Sequence, residues 1–250
     1  MHLDVVDLRE FYDTRLGQIA RRHVMRPLRS LWPDVRGLRV LGLGFATPYL
    51  SPFLGEAERV AAIMPAQQGV MHWPREGPNR VALAHEGELP LPDASFDRVL
   101  LVHSLETSES VRPLLRQVWR VMANGGRLAV IAPNRSSLWA QFETTPFGHG
   151  HPYTRTQLSR LLRDCLFAPE VYGAALRMPP FSSRLLVRTG SAWERTGAAL
   201  WNGLSGVHIV EATKQLYAVT PTGSRVPVTE RVRALRPVRG VASAKEPTKD

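Results

Sequence analysis

The sequence is poor in cysteine and lysine and has no long apolar run. Cys165 is the only cysteine among 250 residues, which excludes an internal disulfide and a zinc site built from several cysteines. No stretch reaches the ~18 apolar residues of a membrane span, and the N-terminus lacks the basic and apolar regions of a secretion signal. These absences predict a cytoplasmic protein without a membrane span, in which Cys165 is a buried and unreactive thiol.

Basic residues outnumber acidic ones, and the formal net charge is +10. The excess is spread along the chain and forms no dense block, so nucleic acid is an open but not a favoured partner. Four arginines of the N-terminal segment share one helical face: Arg15, Arg22, Arg26 and Arg29. We expect a solvated face there, with binding of an acidic ligand as the alternative.

Short runs rich in valine, leucine and isoleucine alternate with helical or loop segments. These runs are residues 38–43, 58–64, 80–84, 96–103 and 126–132. Near-continuous apolar strands that are separated by crossovers predict a parallel sheet with helices on both faces.

Three segments show helical periodicity. Residues 5–31 predict one amphipathic helix, which belongs to an N-terminal segment (1–36) that packs on the main domain. Residues 108–123 predict a central helix, and a further helix is expected to begin at Thr154, which forms a capping-box pattern with Gln157.

The C-terminal part is less regular. We expect strands at 170–177 and 207–219 and a helix at 191–203, which lies within an insertion near 180–205. The main domain is expected to span residues 37–232. A basic disordered tail follows it at 233–250. The tail is assigned from its Pro, Gly, Ala and basic residues, which show no periodicity.

Several motifs follow one another in an order that is typical of one family. They are RVLGLGFATP at 39–48, ELPLPDASFDRVL at 88–100, HSLE at 103–106, LLRQVWRVMANGGRL at 114–128 and YTRTQL at 153–158. Together they resemble the class I S-adenosylmethionine (SAM) methyltransferases, nearest the small-molecule, type-11-like group. The resemblance implies a Rossmann-like, doubly wound α/β sheet of seven strands, mostly parallel with an antiparallel last strand.

The resemblance also implies where the cofactor loop lies. It assigns this loop to Gly42, Gly44, Phe45 and Ala46. Gly42 stands where the family has an acid, and Ala46 and Pro48 replace two of its glycines. We expect Thr47 to cap the following helix with Pro48 at its first position. The turn can therefore form, and a purely structural turn is the alternative.

The rest of the implied cofactor site is also altered. Family members usually carry an acid after the second strand that accepts the ribose hydroxyls. Met64 takes that place here, with Gln67 as a polar substitute. After the third strand, His85 or Glu86 would face the adenine, although Glu86 could equally belong to a surface turn.

His103 and the segment 134–153 complete the predicted site. His103 ends the fourth strand, where it could contact SAM, act as a base, or be a structural residue. The segment 134–153 is expected to cover the pocket and to bind the acceptor. Its candidate residues are Trp139, Phe147, His149, His151 and Tyr153. No metal site is expected, because no acidic or cysteine partner follows the two histidines at ligand spacing.

These observations predict SAM-dependent methyl transfer to an O or N atom of a small-molecule acceptor. The alternative is a non-catalytic member of the family that acts as a partner-binding or regulatory module. A third reading is an RNA-directed methyltransferase. The acceptor and the oligomeric state stay open.

Overall fold

A computed structural model describes residues 3–180 and 205–216 of the chain. The predicted helix at 191–203 and the predicted tail at 233–250 lie outside these residues, as does the end of the predicted strand at 207–219. Among the described residues, the model contains no helix with the length and apolar character of a membrane span.

Seven strands form one sheet. They are β1 (Arg39–Gly44), β2 (Arg59–Pro65), β3 (Val81–Ala84), β4 (Phe96–Val102), β5 (Met122–Pro133), β6 (Phe167–Ala175) and β7 (Val207–Lys214). The spatial order is β3-β2-β1-β4-β5-β7-β6. β1 to β5 pair in parallel, and β7 is antiparallel to both β5 and β6. This is the sheet that the sequence predicted.

Within the described residues, five α-helices surround the sheet. They are α1 (Val5–Asp13), α2 (Arg15–Leu31), α3 (Thr47–Leu50), α4 (Val111–Val121) and α5 (Arg155–Asp164). Thr154 caps α5, and the capping box with Gln157 is confirmed.

The prediction of one helix over 5–31 is wrong, because the helix breaks at Thr14. The backbone of Thr14 is extended (ψ 159°), and its side chain accepts a hydrogen bond from the Gly17 N–H. The same hydroxyl donates to the carbonyl of Phe11 at 2.6 Å. A Cβ at Gly17 would lie 2.0 Å from that carbonyl oxygen, so the close approach of the two helices requires glycine here.

The prediction of Thr47 as the cap of the helix after β1 is wrong by one residue. Ala46 is the N-cap, and its carbonyl accepts hydrogen bonds from the N–H groups of Tyr49 (2.9 Å) and Leu50 (3.1 Å). Thr47 and Pro48 therefore occupy the first two helical positions, and no side chain caps this end. Pro48 still fits there because the first helical N–H groups have no partner within the helix.

The two faces of the sheet carry separate cores. On one face, which we call the α4 face, α4 and α5 cover the sheet through Leu114, Leu115, Val118, Leu158 and Leu162. On the other, which we call the α2 face, α2 and α3 pack with α1 and with residues of β1, β2 and β7.

A buried acid ties α2 to the sheet. Trp32, which follows α2, donates its indole N–H to Glu211 of β7 at 3.0 Å. Arg127 of β5 donates to the other carboxylate oxygen of Glu211 at 2.9 Å. Both oxygens of this buried acid are thereby paired, as a charge in a core requires.

The arginine face of α2 matches its predicted character. Arg15, Arg22 and Arg26 are exposed. Arg29 is half-buried and forms an ion pair with Glu56.

Candidate functional site

The carboxyl ends of the parallel strands form the edge where open α/β sheets bind ligands. β1 reaches this edge at Gly44, whose φ is +76°. A Cβ at Gly44 would lie 2.3 Å from the carbonyl oxygen of Val102 in β4, and one at Gly42 would lie 2.6 Å from Leu50. Both glycines of the predicted cofactor loop are therefore packed against the chain itself.

Aromatic rings fill the space above β1 and β4. We call this group the aromatic cluster, and it consists of Phe11, Tyr12, Phe45, Tyr49, Trp139 and Phe147. The ring of Tyr12 stacks on Phe45, with centroids 5.8 Å apart and 22° between the planes. It meets Tyr49 edge-on at 5.9 Å. Phe45, which the resemblance placed in the cofactor loop, is only 2% exposed.

A chain of hydrogen bonds runs through this cluster. The hydroxyl of Tyr12 lies 3.0 Å from the hydroxyl of Tyr49 and 2.8 Å from Nε2 of His103. Nδ1 of His103 lies 3.2 Å from Oε1 of Glu106. A neutral His103 that carries its proton on Nδ1 satisfies both contacts, because Nδ1–H then donates to the carboxylate and Nε2 accepts from Tyr12.

Burial keeps both phenols of this chain neutral. The pKa of Tyr12 is raised well above its usual value of 10, first by burial and then by the neighbouring Tyr49. Burial also raises the pKa of Tyr49. Both hydroxyls can therefore donate as well as accept at any ordinary pH.

The candidate residues at the other end of the edge, after β2 and β3, differ in burial. Met64, at the position of the ribose-binding acid, is fully buried. Glu86 is also buried, and its carboxylate accepts from the N–H of Ser110 at 2.8 Å. His85 is exposed, and its Nδ1 accepts from the N–H of Gly87 at 3.2 Å. The surface-turn alternative for Glu86 thus does not describe its buried position.

A small cavity lies at that end. It has a volume of about 10 Å³ and is lined by Leu3, Pro65, Gln67, Gln68, Glu86 and Thr107. A cavity of this size holds about one water molecule. Gln67 therefore lines a gap that is far too small for a ribose.

Sequence reasoning missed that the N-terminal segment lies along this edge. Leu3 lines the small cavity, the N–H of Val5 donates to the carbonyl of Gln68 at 2.8 Å, and Tyr12 reaches His103. The segment thus passes from the end of β3 and β2 to the end of β1 and β4. The apolar stripe of α1, which includes Phe11 and Tyr12, shows that the helix is buried, but it contains no signal for the surface that receives it.

The predicted acceptor residues do not converge on an open pocket. Trp139 and Phe147 are each 1% exposed and contact one another, and the Trp139 indole N–H donates to the carbonyl of Met178 at 2.6 Å. His149 is half-buried, with Nε2 2.7 Å from the carbonyl oxygen of Glu143, and His151 is exposed.

Tyr153 and Cys165 have structural surroundings. Tyr153 donates its hydroxyl to the carbonyl of Leu105 at 3.2 Å, and burial raises its pKa to about 12. Cys165 is half-buried, and burial raises the pKa of its thiol, which makes it a poor nucleophile.

The described residues do not fit SAM as they are arranged. One cavity at the edge has a volume of about 10 Å³, and the rings of Tyr12, Phe45 and Phe147 are buried in the aromatic cluster. A larger cavity of about 720 Å³ lies between the polar side of α1 and residues 71–75. Within residues 3–180 and 205–216, no group of three His, Cys, Asp or Glu side chains could hold a metal ion.

Comparison with known proteins identifies the fold and the domain. Residues 41–130 match the family model described as "Methyltransferase domain". No protein of curated function matches the chain.

Solved structures of methyltransferases share the fold. One is a SAM-dependent methyltransferase from Archaeoglobus fulgidus, with 21% identity, a TM-score of 0.56, and coverage of 82% of this chain and 99% of the other. Another is the 1,6-didemethyltoxoflavin-N1-methyltransferase of Burkholderia thailandensis, with 17% identity, a TM-score of 0.56, and coverage of 84% and 85%. A SAM-dependent methyltransferase from Thermotoga maritima, titled a possible histamine N-methyltransferase, has 17% identity, a TM-score of 0.57, and coverage of 84% and 96%. Residues 41–130 thus resemble a methyltransferase domain, and the seven-stranded sheet is the fold that these solved methyltransferases share.

Proposed function

We propose that this chain works without SAM, as a partner-binding or regulatory module built on the methyltransferase fold. The observation that carries the proposal is the position of Tyr12, whose ring lies between Phe45 and Tyr49 and whose hydroxyl meets His103. The family implies SAM as the cofactor of its members, but here the chain's own N-terminal helix lies along the edge that would receive it.

The residue types at this edge support the same proposal. Gly42 and Met64 replace acids that the family resemblance would place there, and the carboxylate of Glu86 is already paired with the N–H of Ser110.

An energy estimate indicates how strongly α1 competes with a cofactor. Withdrawing α1 exposes four buried side chains, those of Val5, Leu8, Phe11 and Tyr12. At about 1.5 kcal/mol or more for each, the cost is about 6 kcal/mol. A cost of this size weakens a bound ligand by roughly 10⁴-fold, so a micromolar site would become a millimolar one or weaker.

Isothermal titration calorimetry with SAM and with S-adenosylhomocysteine tests the proposal. The protein is first shown to be free of co-purified cofactor. We expect no binding at millimolar ligand, while hydrogen exchange of residues 3–14 stays unchanged. Micromolar binding together with faster exchange in residues 3–14 would contradict the proposal, because it would show that the cofactor displaces α1.

A second candidate function is SAM-dependent methyl transfer to an O or N atom of a small-molecule acceptor. One observation favours it. The buried atoms Oε1 of Gln68, Oγ of Ser104 and Oε2 of Glu106 have no hydrogen-bond partner, and all three residues follow β2 or β4 at this edge. Buried polar atoms are seldom left unpaired, so a ligand that enters when α1 withdraws would satisfy them.

Loosening α1 separates the two candidates. Leu8→Ala weakens the docking of α1 without touching the strands, and Leu114→Ala removes a similar side chain from the α4 face. If the chain is a methyltransferase gated by α1, Leu8→Ala should bind SAM more tightly than the unchanged protein, whereas Leu114→Ala should not. An equal absence of binding in both variants would support the SAM-independent function and leave no reason to screen acceptors.

A further inference from the structure

We infer that the place filled by the ring of Tyr12 is a binding site for a hydroxylated aromatic ring, that is, for a phenolic small molecule. The inference rests on the proposed function, because the phenolic ligand needs an edge of the sheet that SAM does not occupy. It goes beyond that function because it names the chemical class that this edge would recognise.

The walls of the site suit a flat aromatic ring. Phe45 offers a ring that stacks on the occupant at 5.8 Å and 22°. Tyr49 offers a ring edge, at 5.9 Å with 89° between the planes. Stacked and edge-on contacts are the two arrangements that aromatic rings prefer, so the walls select a ring over an aliphatic chain.

The polar atoms of the site suit one hydroxyl on that ring. Nε2 of His103 lies 2.8 Å from the hydroxyl oxygen of Tyr12, and the hydroxyl of Tyr49 lies 3.0 Å from it. A phenol can donate to the first and accept from the second. Nδ1 of His103 lies 3.2 Å from Oε1 of Glu106, and in the tautomer that carries its proton on Nδ1 the Nε2 atom accepts. A ring without a hydroxyl would leave Nε2 buried and unpaired, which is unfavourable.

The walls and the occupant belong to different elements. Phe45 and Tyr49 lie at the end of β1 and in α3, and His103 follows β4, so the sheet holds all three in place. Tyr12 lies on α1, which is separated from α2 by the extended Thr14. Within residues 3–180 and 205–216, α1 donates one backbone hydrogen bond to the rest of the protein, from Val5 to Gln68. The occupant can therefore leave while the site stays formed.

A second observation points to a ligand at this edge. Glu106 is 1% exposed, and its Oε2 has no partner although its Oε1 is paired with His103. The nearby hydroxyl of Ser104 is also buried and unpaired. A phenolic molecule with a second polar substituent could reach such atoms, which the ring of Tyr12 cannot do.

The first test removes the occupant. We expect p-cresol to bind Tyr12→Ala in calorimetry and to raise its Tm, and to bind roughly tenfold or more tightly than toluene, which has the same shape but no hydroxyl. Phe53→Ala is the matched control, since Phe53 lies in the same core, where its ring packs against Trp32 and the guanidinium of Arg29. In Phe53→Ala, p-cresol should bind no better than toluene.

The second test uses the unchanged protein and does not depend on the folding of a variant. We expect millimolar p-cresol to speed up hydrogen exchange in residues 3–14, and toluene to have no such effect. The inference is overturned if p-cresol and toluene bind Tyr12→Ala equally, or if p-cresol leaves the exchange of residues 3–14 unchanged. Calorimetry with SAM on the same samples distinguishes this failure from a failure of the proposed function, because SAM binding and p-cresol binding are read separately.

Discussion

The two faces of the sheet differ in how their helices are encoded. On the α4 face, the helices follow strands in the usual alternation, and their apolar positions, such as Leu115 and Leu158, stand in motifs that are readable along the chain. On the α2 face, two of the three covering helices, α1 and α2, precede β1, and α1 also reaches the carboxyl edge. The comparison shows that two different parts of the chain are involved. One part contains the match to the methyltransferase domain, and another part, α1, covers the carboxyl edge of the sheet.

The matched segment illustrates this division. Residues 41–130 hold the family match, and α1 lies entirely before them. A methyltransferase domain can thus be recognised without any information on the helix that covers its edge. The family match alone therefore overestimates how open the edge is.

The largest expected effect compares one phenylalanine from each face. Phe45 is 2% exposed on the α2 face, and Phe167 is fully buried on the α4 face. Because each replacement leaves a cavity, Phe45→Ala and Phe167→Ala should each lower the free energy of unfolding by about 3–5 kcal/mol in urea titrations. A loss below about 1 kcal/mol for Phe45→Ala alone would show that the ligand edge is loosely packed and that the two faces differ in more than their encoding.

The next effect concerns acid sensitivity near the carboxyl end of β5. His208 pairs with Ala132 across β7 and β5, and burial lowers its pKa from 6.5 to about 4. In the unfolded chain, His208 becomes protonated as the pH falls below about 6.5. In the folded chain, it stays neutral down to about pH 4. The free energy of unfolding should therefore drop by about 3 kcal/mol between pH 7 and pH 4 through this residue.

The comparison for this prediction is His208→Gln. Its unfolding free energy, measured by urea titration at several pH values, should decline by about 3 kcal/mol less than that of the unchanged protein over the same range. Parallel pH curves for the two proteins would show that His208 takes up its proton equally in both states.

A smaller effect compares a tyrosine hydroxyl from each face. Tyr12→Phe leaves Nε2 of His103 buried without its partner, and we expect a loss of about 1–3 kcal/mol in chemical unfolding. Tyr172→Phe removes a partly buried hydroxyl that lies 2.8 Å from Ser159, and its loss should be below about 1 kcal/mol. Equal losses in the two variants would contradict this prediction. They would show that the hydrogen bond of Tyr12 at the ligand edge stabilises the fold no more than the hydrogen bond of Tyr172 does.

The smallest effect compares two helix caps. Thr14 caps α2 and Thr154 caps α5, so Thr14→Ala and Thr154→Ala should each cost about 1 kcal/mol. Only Thr14→Ala should also speed up hydrogen exchange in residues 3–14, because Thr14 sets the angle between α1 and α2. Faster exchange in both variants would mean that the whole domain loosens and that α1 has no separate hinge.

Much of the fold was predictable because strand and helix signals are local. The runs at 96–103 and 126–132 became β4 and β5, and the capping box at Thr154 formed as expected. The break at Thr14 was missed because the apolar stripe continues across it, whereas the cause is a close approach between two helices at Gly17. The roles of the candidate site residues stay predictions, although their places in the fold are now known.

The amino-acid pattern alone indicated the resemblance to methyltransferases, the seven-stranded sheet with an antiparallel last strand that this resemblance implies, and the altered loop from Gly42 to Pro48. Apolar periodicity and turn residues act between near neighbours in the chain, and one sequence is enough to reveal them. Only the tertiary structure decided that Tyr12 meets Phe45 and His103, which are 33 and 91 residues away along the chain. That contact depends on which surface of the protein receives the apolar side of α1. Because hydrophobic burial is non-directional, the apolar stripe of α1 predicts that the helix is buried but not where it packs.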